Sequence, residues 1–200
     1  MISPLEVLIL FFVTLGPLKI IQPLYYLTYG MNWEVRNRIV KRAVAIATAI
    51  VLGVALIGSF IVSKWGISAP AMTITLGIIL MLQSLGMIMN PPKPLQKPEH
   101  PATDTQIAGF PLAIPTIVTA PGITAILTIF LITKEQRPFQ LIVLALLLFM
   151  MLLNLVSMLN IENTIKHIPL VAVQVVFWIF AILQATLAVE IILRSLRTAL

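Results

Sequence analysis

Six apolar runs, each near twenty residues, leave this chain little choice of solvent: roughly 5–29, 40–62, 70–89, 108–132, 139–159 and 170–193. A helix rising about 1.5 Å per residue needs about twenty residues to cross about 30 Å of hydrocarbon. No run alternates apolar and polar residues as a lipid-facing barrel strand would, so the spans are expected to be helices that satisfy their own backbone groups. Composition agrees: of 200 residues 60% are apolar and 10% charged, too few polar groups to cover a soluble domain. An all-α integral membrane protein with the lipid bilayer as its first partner is the expectation.

Charge and cysteine remove other classes. The net charge of +6 resides in short connections between apolar runs, a topology signal that gives no nucleic-acid surface. With no Cys there are no disulfides, thiolate metal sites or redox thiols. Glu6 stands where a signal peptide would carry Lys or Arg, and no A-x-A cleavage pattern follows, so the first run reads as a retained span. The connection WEVRNRIVKR holds Arg36, Arg38, Lys41 and Arg42 against Glu34. Placing it in the cytoplasm of a cell with this protein in its inner (plasma) membrane puts both termini outside.

The Pro-rich, polar stretch 91–107 reads as a linker dividing two three-span halves, 1–90 and 108–200. An odd number of spans per half makes the halves inverted repeats. VTLGPLKIIQPLYYLT (13–28) aligns without gaps on VTAPGITAILTIFLIT (118–133), bringing the Gly/Pro pairs into register. The third spans share a centre too, LQSLGM from Leu82 and LQATLAV from Leu183. Gly/Pro-interrupted spans at matching places in two halves point to a transporter binding site. The first and fourth spans are therefore expected to be discontinuous.

Pro17, Pro23, Pro115 and Pro121 each lack an N–H and conflict with the carbonyl four residues earlier, here on Val13, Lys19, Pro111 and Ile117. Freed carbonyls need a polar partner in hydrocarbon, from another helix, a hydroxyl of Thr14, Thr116, Thr119 or Thr124, water or a solute. Lys19 is the sharpest feature, because a mid-membrane Lys costs about 2.5–3.5 kcal/mol. All seven acids lie at span ends or in connections, so none is an evident counter-ion. Three readings of Lys19 stand: an ammonium held by carbonyls at the end of the half-helix before Gly16, one that reaches an interface, or one that faces a cavity and holds an anionic group. Gln22, one turn on, is a candidate lining residue, as is the backbone at Gly16-Pro17 and Pro121-Gly122. Gln83 and Gln184 suit interhelical hydrogen bonding and Asn154 suits packing, while Gly53, Gly58, Gly77 and Gly86 suit close helix approach. There is no phosphate loop, no H-E-x-x-H and no membrane carboxylate cluster, and His100 and His167 lack acidic neighbours at ligand spacing. No metal, no cofactor and no enzymatic chemistry are expected.

The segment FPLAIPTIVTAPGITAI, Phe110 to Ile126, resembles the signature of the MarC family of multiple antibiotic resistance-related membrane proteins. LGPLKIIQPLYYLT with the basic WEVRNRIVKRA resembles that family's Asp-Pro-Leu-Gly-Asn-x-Pro region and following loop, and AILQATLAVEIIL its last span. The resemblance implies six spans with a polar connection after the third. Here Gly16 replaces the family's acid, Lys19 falls where Gly stands, and the proline spacing is one residue longer. Where the family's acid would bind a proton or cation, this chain is expected to favour an anionic group. The function expected is a small-solute transporter, with export one direction and a homo-oligomer open. The other expectation is a non-transporting membrane scaffold or regulatory subunit.

Overall fold

The structure is a computed structural model that describes residues 3–28, 31–89, 107–161 and 170–199, with the side chains at 22, 25, 26, 59, 111, 170–174, 198 and 199 outside that description. Those residues form helices and turns, with no strand among them. Among the described residues four helices are long and apolar enough to cross a membrane, and a bent pair makes up to five. The 91–107 linker lies outside the described residues except for Ile107.

Helix α1 (Pro4–Leu15) starts on a capping box. Ser3 Oγ accepts from Glu6 N at 3.2 Å, and Glu6 Oε2 accepts from Ser3 N at 2.9 Å. Pro4 takes the first helical position, where its missing N–H costs nothing. The helix stops at Leu15 because Gly16 is extended (φ −70°, ψ 163°) and Pro17 has no N–H to continue the ladder. A tight turn over Pro17–Lys19 leads to α2 (Ile21–Thr28). At 12 and 8 residues, neither piece crosses about 30 Å alone.

Helix α3 (Trp33–Gly53) widens through one turn at Val54–Gly58 and continues as α4 (Ser59–Lys64), a 32-residue run in all. Helix α5 (Ala69–Met89) follows. The segment Ala108–Ile117 is wound but interrupted, with Phe110 and Ile114 extended and the bond before Pro115 cis. It bends by 60° into α6 (Ala120–Ile132). Helices α7 (Arg137–Leu159) and α8 (Leu170–Ala199) complete the fold.

The interrupted elements lie inside. Phe11, Leu15 and Ile20 from the first pair and Ile117 and Ile126 from the second are buried with Leu147 and Met150 of α7. Helix α1 packs on α6 and α7, and α3 packs on α7 and on the 108–117 segment. Along the flank α5 lies on α8. There Gln184 Nε2 makes long hydrogen bonds to Gln83 Oε1 (3.4 Å) and Leu80 O (3.5 Å), the interhelical role expected of both glutamines. Ser195 Oγ adds a bond to Pro70 O at 3.0 Å.

The four glycines expected to allow close approach divide in two. A Cβ on Gly58 would fall 2.3 Å from Leu127 Cδ2, and one on Gly77 2.5 Å from Ile192 Cγ1 and 3.0 Å from Ala188 O. Gly53 and Gly86 face open space, so for them the expectation fails. Gly86→Ala is therefore expected to be neutral or to stabilise by up to about 1 kcal/mol, through backbone entropy. Gly77→Ala should lower the apparent melting temperature of the detergent-purified protein, read by thermal size-exclusion.

Candidate functional site

The last carbonyls of any helix have no partner within it. In α1 the Gly16 N–H closes on Phe12 O at 2.9 Å, and the extended turn that follows carries no backbone donor back to Thr14 or Leu15. Side chains from three places answer them. Lys19 Nζ donates to Thr14 O at 2.6 Å, Thr119 Oγ1 donates to the same oxygen at 2.9 Å, and Asn154 Nδ2 donates to Leu15 O at 2.8 Å. Of the three readings of Lys19, the first thus describes its contact: the amine sits at the negative end of the half-helix dipole.

Thr119 does two things with one hydroxyl. As the residue that caps α6, it accepts from Gly122 N at 3.2 Å while donating to Thr14 O. A hydroxyl can do both at once. The electropositive start of α6 is thereby joined to the electronegative end of α1. Gly122 makes the approach possible, since a Cβ there would lie 2.3 Å from Leu15 Cδ2.

Lys19 is only 9% exposed. An ammonium has three N–H donors, and among the described residues its acceptor is Thr14 O. No carboxylate answers it there: Glu6 and Glu190 pair instead with Arg194, at 3.2 and 2.7 Å. Asn154 is fully buried, and its Oδ1 has no partner among the described residues. One side of the break is therefore satisfied by the protein, and spare N–H donors and one spare amide oxygen remain.

The prolines act differently from the sequence expectation. Pro23 is the third residue of α2 and Pro121 the second of α6. Both sit in a first turn, where no internal bond is lost, so they begin helices and break none. Pro17 opens the turn after Gly16, and Pro115 lies in the interrupted segment before α6. The freed carbonyls that side chains answer are those of Thr14 and Leu15. Thr14 and Thr124 are buried, but their hydroxyls bond their own helices, to Leu10 O and Ala120 O, both at 2.8 Å. Gln22 lies in α2. Asn154, read from sequence as packing, belongs to the site. The signal was available as one amide among fourteen residues of LLLFMMLLNLVSML, but nothing local says which carbonyl it meets.

Comparison with known proteins finds a family over almost the whole length of the chain. A family profile described as "MarC family integral membrane protein" matches residues 3–200. The chain belongs to the MarC family. It is also similar to the UPF0056 membrane protein MJ0972 of Methanocaldococcus jannaschii, 29% identical over 187 residues, covering 90% of this chain and 81% of that one. A second similar protein, the UPF0056 membrane protein MJ1677 of the same organism, is 29% identical over 192 residues, covering 94% and 93%. No solved structure matches. The expected resemblance is thus established for this MarC-family chain, a multi-pass integral membrane protein.

Proposed function

We propose that this MarC-family chain is a small-solute transporter of the inner or plasma membrane, built as six helices in two inverted three-helix repeats with both termini outside. The observation that carries the reading is a meeting of equivalents. Thr14 and Thr119 occupy the same column when 13–28 is aligned on 118–133, and Thr119 Oγ1 lies 2.9 Å from Thr14 O. Equivalent residues of two repeats meet near the axis relating them, and inverted-repeat carriers hold solute between broken helices at that axis.

In this reading the free donors of Lys19 take an anionic group of the solute, and Asn154 Oδ1 accepts from a donor on the same molecule. The backbone at Gly16-Pro17 and Pro121-Gly122 lines the approach with Thr119, Thr124 and Gln22. No catalytic step is assigned. Lys19→Met is expected to reduce uptake of the transported solute by proteoliposomes at least tenfold, in a screen across amino acids and organic anions. Unchanged uptake by the variant, or no transported solute in the screen, sinks the reading.

A specific observation favours a second reading, a non-transporting scaffold. Thr14 O and Leu15 O are already satisfied by Lys19, Thr119 and Asn154, so the break can stand without a solute. Cysteines placed at 19 and 124 separate the two. Labelling by an aqueous thiol reagent supports transport, and complete protection supports the scaffold.

A further inference from the structure

Among the described side chains of residues 7–28 and 107–132, the two broken elements, Lys19 alone is titratable. The turn that carries it packs on α2 and α7, and its amine reaches the end of α1 beside Thr119, the cap of α6. The sequence of α2 adds two tyrosines and no charged residue, and α6 adds no titratable group. Helix α7 adds Arg137 at its first residue, about 25 Å along the helix from Asn154 at about 1.5 Å per residue. Helix α1 adds Glu6, which is held by Ser3 and Arg194.

Two features let a proton on Lys19 come and go. A buried ammonium without a counter-charge is costly, and that cost is removed either by loss of a proton or by arrival of an anion. Among the described residues no carboxylate pairs with Lys19, since Glu6 and Glu190 are on Arg194. The second feature is the shared acceptor. Thr14 O accepts from Thr119 Oγ1 at 2.9 Å as well as from Lys19 Nζ at 2.6 Å. An uncharged amine keeps two N–H groups and can hold the same carbonyl, and Thr119 holds it even when Lys19 turns to a solute. Neither protonation state orphans this buried acceptor.

We infer that Lys19 couples the binding of a monovalent anion to the binding of one proton. The inference rests on the transport reading above and adds to it what accompanies the solute. As the anion arrives, one proton from water joins the lone pair of Nζ, and the ammonium so formed pairs with the anion. The occupied site has gained one negative and one positive charge, so no net charge is moved. On release the anion leaves for water, Nζ returns its proton to water, and Lys19 is again an amine held at Thr14 O. A proton gradient thereby drives the anion in the direction that the proton takes.

The test uses the full chain in phosphatidylcholine nanodiscs, with methanesulfonate, acetate and glutamate as monoanion probes. Equilibrium dialysis measures the bound anion, and a pH indicator in weak buffer measures the protons taken up on mixing solutions of matched pH. The parent is expected to take up about one proton per bound anion. Binding should weaken as pH rises from 6 to 9, by up to about tenfold per unit, because the occupied state holds one more proton. Lys19→Arg, whose guanidinium keeps its charge throughout, should bind with no proton uptake and no such slope. Lys19→Met should lose binding and proton uptake together. Lys19-dependent anion binding without proton uptake by the parent overturns the inference and leaves the transport reading standing. Proton uptake that persists in Lys19→Met, or an equal pH slope in Lys19→Arg, overturns it as well. Absence of Lys19-dependent binding of all three probes overturns both the inference and the reading beneath it.

Discussion

Gly16→Ala is expected to damage this fold more than any other single methyl addition. A Cβ at position 16 would stand 2.0 Å from Phe12 O and 2.9 Å from Phe12 C. Those atoms are backbone, so no side chain can swing aside, and relief requires the end of α1 to move. That end holds the hydrogen bond from Gly16 N to Phe12 O and presents the two carbonyls that receive Lys19, Thr119 and Asn154. Overpacking costs about 1–3 kcal/mol and sometimes more, and each buried hydrogen bond lost adds about 1 kcal/mol. A loss on the order of 3–5 kcal/mol follows, or about 10 °C in apparent Tm for a chain of this size. Thermal size-exclusion in detergent measures it. Gly122→Ala is the comparison, because its Cβ would meet the far end of the Leu15 side chain, at Cδ2, 2.3 Å away. That tip can rotate, so the loss should be smaller. A Gly16→Ala protein as stable as the parent would show that the extended turn after α1 is not present.

Removing Lys19 and Thr119 together is expected to cost more than the two losses added. Each donates to Thr14 O, so either single variant, Lys19→Met or Thr119→Val, leaves that buried oxygen one partner. The double variant leaves it none of these donors. A buried acceptor without a partner costs about 1–3 kcal/mol, and contacting residues show coupling energies of about 0.5–3 kcal/mol. A coupling of at least about 1 kcal/mol between positions 19 and 119 is the expected result of the stability cycle. Lys19→Met alone should be well tolerated, because it also removes a buried amine that lacks a carboxylate partner. Strict additivity would mean that the two side chains do not share Thr14 O. Pairing Lys19→Met with Asn154→Leu gives the control: Asn154 serves Leu15 O instead, so coupling should be weaker.

Much of this was legible in the sequence. The long apolar runs near 70–89 and 139–159 became α5 and α7 within two residues, and 40–62 lies inside α3 with α4, which starts seven residues earlier at Trp33, because hydropathy and length alone decide whether a helix suits a bilayer. The breaks in 5–29 and 108–132 were legible too, since Pro has no N–H and Gly tolerates a close carbonyl whatever the surroundings. The prolines misled over position. Spacing cannot say whether a Pro interrupts a helix or begins the next one, and Pro23 and Pro121 begin theirs. Nor could it say which way Thr14 and Thr124 turn their hydroxyls, since a helix offers the i−4 carbonyl as readily as a cavity offers a solute.

The sequence by itself determined the solvent, the number of long apolar runs, the two interruptions and the absence of a nearby acid for Lys19. These depend on covalent chemistry and on neighbours within one or two turns. Only the tertiary structure decided who answers the freed carbonyls. Asn154 stands 139 residues from Leu15 and Thr119 stands 105 from Thr14, so chain order carries no trace of either pairing. The same holds for Glu6 and Arg194, which meet across 188 residues. A hydrogen bond is short-ranged and directional, and packing of the helices is what brings its two ends together.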